Sequence, residues 1–152
     1  MKCCDNMDEN IRKELIMEHY MNPLNRDTID DKNYIKVNTN SETCIDNIDL
    51  YILFEDDIIK DIHFNGEACA ISTSASSIMT KLIKGKTIKE VKELIREYND
   101  MIETGKEYED LNEALAYSNI YLQQNRKSCA TIPWVGLKKA IEEYESKKDN
   151  ES

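Results

Sequence analysis

Three cysteines and one aspartate are the residues of this sequence whose types and spacing could do chemistry. Cys44 precedes Asp46 by two positions, and in an extended segment such a pair points to the same side of the chain. Cys69 follows a strand-like run and opens a helix, where the positive end of the helix dipole favours a thiolate. Cys129 is expected between two late helices. Three thiolates and a carboxylate form a four-coordinate donor set that suits zinc, and thiolates equally suit iron–sulfur clusters. By formal count the four ligands carry about −4 and a divalent metal leaves about −2, so a nearby cation would help. Arg126 and Lys127, just before Cys129, are the candidates. The spacing alone also fits three small buried hydrophobes, because there is no Cys-x-x-Cys pair.

The elements that must position these residues follow from periodicity. Asp8 to Met21 predicts a helix with Ile11, Leu15, Ile16 and Tyr20 as its apolar stripe, ended by Pro23. Asn25 to Asn33 is polar and reads as a loop. Tyr34 to Asn38 is a short strand. Asn47 to Phe54 alternates, with Ile48, Leu50 and Ile52 on one face. Glu55, Asp56 and Asp57 make a turn, and Ile58 to Phe64 runs back, giving a three-stranded antiparallel meander. Ala70 to Lys84 is a helix closed by Gly85. Thr87 and Glu90 form a capping box for a helix to about Thr104, with Ile88, Val91, Ile95, Tyr98 and Ile102 as its buried stripe. A helix is expected from about Asp110 to Gln124, and a last one has Pro133 in its first turn and reaches about Lys147. The fold class is therefore α+β, an N-terminal helix followed by a meander packed against several helices. Residues 1–9 read as a flexible tail, 10–146 as one domain and 147–152 as a disordered tail.

Bulk properties narrow the function. A chain of 152 residues fits one core, and a formal net charge of −10 with no basic stripe argues against nucleic acid as a partner. No apolar run is long enough to span a membrane, and the start lacks a secretory signal, so a cytoplasmic location is expected. Five cysteines, an odd count, do not suggest a disulfide framework. Cys3 and Cys4 lie in the polar tail. His19 is expected to pack or cap near its helix end, and His63 to be a surface residue. Glu107, Glu109 and Asp110 read as solvated acids. Ser72, Ser74, Ser76 and Ser77 lack a catalytic partner arrangement and read as small residues for close helix packing.

Four motifs in order carry a family resemblance. His19-Tyr20-Met21-Asn22-Pro23-Leu24-Asn25 is close to HY-x-NP-x-N, and Thr43-Cys44-Ile45-Asp46 to TC-G-D. Gly66 to Ser76, which contains Cys69, is close to GxGC-x-IS-x-(A/S)-x-S, and Arg126 to Trp134 to R-x-KCATL-x-W. From about Asn10 to Tyr144 the chain resembles the SufU branch of the IscU/NifU-like iron–sulfur scaffold family. Cys69 and Cys129 are sixty positions apart, enough for that branch's helical insertion. Ser128 stands where other scaffolds carry a ligating histidine, and their leucine–proline chaperone motif is not visible. Ile45 and Ala68 replace family glycines. The resemblance implies zinc held by Cys44, Asp46, Cys69 and Cys129, with an iron–sulfur cluster as the alternative. It implies sulfur acceptance by Cys44 from a pyridoxal-phosphate-dependent, SufS-like cysteine desulfurase, with Arg126 as a candidate to stabilise the negative sulfur species. A sulfurtransferase-type acceptor, a cluster scaffold and a structural zinc protein without transfer activity are the three functions to separate. The chain is expected to be a monomer or weak dimer.

Overall fold

Ile48, Leu50 and Ile52 occupy alternate positions of one strand and are all buried, so one face of the sheet carries the core. The computed structural model describes residues 8–40 and 45–151. Helix α1 (Glu9–Met21) is followed by strands β1 (Ile35–Asn40), β2 (Asn47–Glu55) and β3 (Ile58–Glu67). Then come α2 (Ala70–Ile83), α3 (Ile88–Thr104), two 3-10 segments (Glu109–Tyr117 and Ile120–Leu122) and α4 (Gln124–Glu151). The sheet is antiparallel throughout in the order β1-β2-β3, the expected meander. Leu50 sits opposite Val37 on one side and Phe64 on the other, and Ile52 opposite Ile35 and Ile62. Asp56 and Asp57 turn the β2–β3 hairpin, both with positive φ (53° and 62°), the twist that matches a two-residue hairpin.

The polar segment after α1 has a structural task. Asp27 N–H donates to the Phe64 carbonyl (3.0 Å) and Phe64 N–H to the Asn25 carbonyl (2.9 Å), which covers the outer edge of β3. Helix α2 lies at the centre of the helical layer, buried from Ser72 to Thr80. Its serines let α1 and α4 approach closely, and each finds a polar partner. Helix α3 carries the expected capping box and buries all five residues of its predicted stripe. Gly105 ends it in the left-handed conformation at φ 83°. Tyr98 of α3 stacks on Trp134 of α4 with ring centroids 4.4 Å apart.

Several expectations are corrected. The helix predicted over Asp110 to Gln124 is instead the two 3-10 segments, broken at Asn112 (φ 50°, ψ −123°). Leu111 and the run Ala114 to Ser118 are buried, so this stretch lacks the polar face of an amphipathic helix. Helix α4 begins at Gln124, which places Cys129 inside it rather than between helices and Pro133 in its interior rather than its first turn. The helix also runs on to Glu151, beyond Lys147. In α1, Ile11 and Tyr20 are exposed, whereas Leu15 and Ile16 pack on the core and His19 is buried. The N-terminal residues 1–7, with Cys3 and Cys4, lie outside the described residues.

Candidate metal centre

The end of the sheet and the starts of two helices meet at one point. Asp46 stands immediately before β2, Cys69 is the N-cap of α2, and Cys129 lies in the N-terminal part of α4. Asp46 and Cys129 are buried and Cys69 is half-buried. One donor atom from each of the three lies within 4.8 Å of the others. The Cys69 Sγ is 3.7 Å from Asp46 Oδ2. A tetrahedral zinc site has sulfur–sulfur and sulfur–oxygen edges of roughly 3.5–3.8 Å. The donor types and this separation therefore fit zinc, with one further ligand needed. Cys44 supplies the remaining candidate by sequence, but it lies outside the described residues, as do Ser41, Glu42 and Thr43. Ile45, between Cys44 and Asp46, is 79 % exposed.

Local structure explains why Asp46 is buried. Its Oδ1 accepts the Cys69 backbone N–H at 2.7 Å, and its Oδ2 lies 2.6 Å from the Ser72 Oγ. The carboxylate thus sits on the N-terminus of α2, where free N–H groups and the helix dipole favour an anion. The Cys69 Sγ in turn accepts the Ser72 N–H at 3.4 Å, serving as the helix cap. The Ser72 Oγ is also 2.9 Å from the Cys129 backbone carbonyl. Sequence reasoning assigned Ser72 to packing and missed these contacts. Its place three residues after Cys69 signals only the contact of its backbone N–H with the cap; the hydroxyl contacts to Asp46 and Cys129 depend on elements distant in sequence.

The other candidates fall elsewhere. Arg126 is exposed at the start of α4, and Lys127 pairs with Glu103 at 3.3 Å. His19 is buried between Ser77 Oγ (2.7 Å) and Glu113 Oε1 (3.2 Å), a packing role near the end of α1. Glu107 pairs with Arg12 at 3.6 Å. His63 bridges Asp27 and Asp61 on the outer side of the sheet, at 3.0 and 2.9 Å. Burial pushes the Asp61 carboxyl up, but hydrogen bonds from Tyr34, Lys84 and His63 outweigh it and hold the group down to about 2. A depressed acid adds stability above its unfolded value near 4, and that stability is lost as the pH falls toward 2. Asp61→Asn should therefore flatten the acid limb of the stability curve between about pH 4 and pH 2, read by urea midpoints across that range. A limb of unchanged slope would show that Asp61 is not its source.

Residues 11–151 match the family described as the NifU-like N terminal domain. The chain belongs to this family. The zinc-dependent sulfurtransferase SufU of Bacillus subtilis is 36 % identical over 140 residues, covering 90 % of this chain and 93 % of that protein. The iron-sulfur cluster assembly scaffold protein IscU of Streptococcus pyogenes is 32 % identical over 130 residues, covering 84 % of this chain and 80 % of its own. A crystal structure from Fervidobacterium islandicum AW-1, of a protein assigned as a scaffold for the SUF system, superposes with a TM-score of 0.77 at 30 % identity. It covers 84 % of this chain and 94 % of that one. The α+β architecture expected from the order of helical and strand-like segments is the one observed. No helix among the described residues is long and apolar enough to cross a membrane.

Proposed function

We propose that this protein serves iron–sulfur cluster assembly as a zinc-bound sulfur acceptor. The observation that carries the proposal is the convergence of Asp46, Cys69 and Cys129 donor atoms within 4.8 Å, with Cys44 two residues from Asp46 in the chain. The similarity to a zinc-dependent sulfurtransferase over nearly the whole chain supports the same reading. Zinc, when bound, would hold the cysteines as thiolates at neutral pH.

Cys44 is the acceptor in this reading. A cysteine desulfurase, a pyridoxal-phosphate enzyme, presents a persulfide. The Cys44 thiolate attacks its outer sulfur, a new sulfur–sulfur bond forms, the donor's bond breaks, and the donor thiolate leaves. Cys44 then carries the persulfide. Asp46, Cys69 and Cys129 keep the site assembled while Cys44 is away from it. Arg126, exposed on the helix that carries Cys129, supplies a cation for the anionic sulfur. The protein acts in the cytoplasm as a monomer or weak dimer.

A second reading is a scaffold on which a cluster is built, favoured by the scaffold proteins among the relatives and by the suitability of the same thiolates for iron. Protein purified without air separates the two. Colourless protein with one zinc per chain supports the acceptor, and a brown iron chromophore supports the scaffold. Desulfurase turnover should rise when the protein is added, and Cys44→Ser should remove the rise. Stimulation that survives Cys44→Ser excludes Cys44 as the acceptor, and no stimulation by the parent protein would leave a structural zinc role.

A further inference from the structure

Proline at position 133 deprives one carbonyl of α4 of its helical donor. In an α-helix the N–H of residue i bonds the carbonyl of residue i−4, and proline has no N–H. The deprived group is the Cys129 carbonyl, the backbone of a candidate metal ligand. The Ser72 hydroxyl, fully buried, lies 2.9 Å from it. The same hydroxyl lies 2.6 Å from Asp46 Oδ2, the oxygen that is 3.7 Å from the Cys69 sulfur. A serine carries one hydroxyl proton, and both of these neighbours are acceptors.

We infer that Ser72 is a positioning residue of the metal centre: its one hydroxyl proton, shared between the Asp46 carboxylate and the Cys129 carbonyl, ties both to the start of α2. The inference rests on the reading of Asp46 as a metal ligand. The carboxylate is oriented at both oxygens, by the Cys69 N–H at Oδ1 and by Ser72 at Oδ2. Without Ser72, Oδ2 would lose its buried donor and the carboxylate could rotate away from the sulfurs. A ligand acting through such an outer partner is sensitive to its loss. A serine present only for its small size would be replaced by alanine without consequence for the metal.

A double-mutant cycle tests this with zinc and cobalt(II) as probes, using chelator competition on the full chain under reducing conditions. Ser72→Ala should weaken metal binding by about 10- to 100-fold. It should also change the cobalt(II) visible spectrum, which reports the ligand field. In an Asp46→Ala background the same substitution should change affinity less than about twofold, because no carboxylate is left to position. Any effect of Ser72→Ala on affinity that does not pass through the carboxylate is common to both backgrounds and cancels from the comparison. Ser72→Ala binding metal like the parent, or losing as many fold with Asp46 absent as present, overturns the inference alone. Asp46→Ala binding metal as tightly as the parent overturns the ligand assignment as well.

Discussion

Cys69→Ser is expected to abolish zinc retention while leaving the zinc-free fold close to the parent in stability. Cys69 has one observed task, the helix cap, and one proposed task, metal binding, and serine separates them. As the N-cap of α2 its sulfur accepts the Ser72 N–H, and serine is a preferred residue for that position. As the proposed zinc donor beside Asp46 and Cys129 it would supply a thiolate, which a hydroxyl cannot match at neutral pH. The affinity for zinc should fall on the order of a thousandfold or more, about 4 kcal/mol. The rise in melting temperature on adding zinc to the parent should then disappear, because a ligand stabilises a fold only through binding to it. Cys69→Ala should lose zinc and also about 1 kcal/mol of zinc-free stability, from the missing cap. Metal analysis and zinc-free urea unfolding of both variants check the pair. A Cys69→Ser protein that keeps one zinc per chain through chelation would remove Cys69 from the ligand set.

The sequence reading was most accurate where local chemistry decides structure. Thr87 and Glu90 mark the start of α3 because each satisfies the other's backbone N–H, a bargain made within four residues. The hairpin at Asp56 and Asp57 and the start of α2 at Cys69 are local in the same sense. The reading failed where a distant partner decides. Pro133 looked like a helix start because proline suits a first turn. It stands inside α4, where the Cys129 carbonyl, which loses its helical donor to the proline, lies 2.9 Å from the Ser72 hydroxyl, and the neighbouring Ala130 and Ile132 carbonyls accept the Tyr98 hydroxyl at 2.7 Å and the Thr39 hydroxyl at 3.0 Å. No pattern within α4 reveals those three donors. The same holds for the site. Asp46, Cys69 and Cys129, which the structure brings together, could be picked out by residue type and family motif, whereas the Ser72 hydroxyl contacts became visible only when α2 and α4 were seen side by side.

Gly66→Ala should damage both the fold and the site, because the backbone of β2 occupies the space a side chain would need. Gly66 pairs with Ile48 across the sheet at φ 133°, a conformation that residues with a Cβ rarely adopt. A Cβ built there would lie 2.2 Å from the Asn47 carbonyl oxygen and 3.1 Å from the Ile48 Cα. Both obstacles are backbone, so relief requires the strands to separate. Asp46 precedes Asn47, and Cys69 follows Gly66 by three residues, so a displacement here shifts one candidate ligand against another. We expect a loss of roughly 3 kcal/mol or more in stability, and a metal affinity at least about tenfold weaker. Gly85 provides the comparison within the same chain. It also has positive φ (87°), but nothing lies within 4 Å of where its Cβ would stand. Gly85→Ala should therefore cost only the conformational strain, about 1 kcal/mol, and leave metal binding at the parent level. Urea unfolding and chelator competition on both variants separate strain from collision. Equal costs at the two positions would mean that the close approach of β2 is not what requires glycine at position 66.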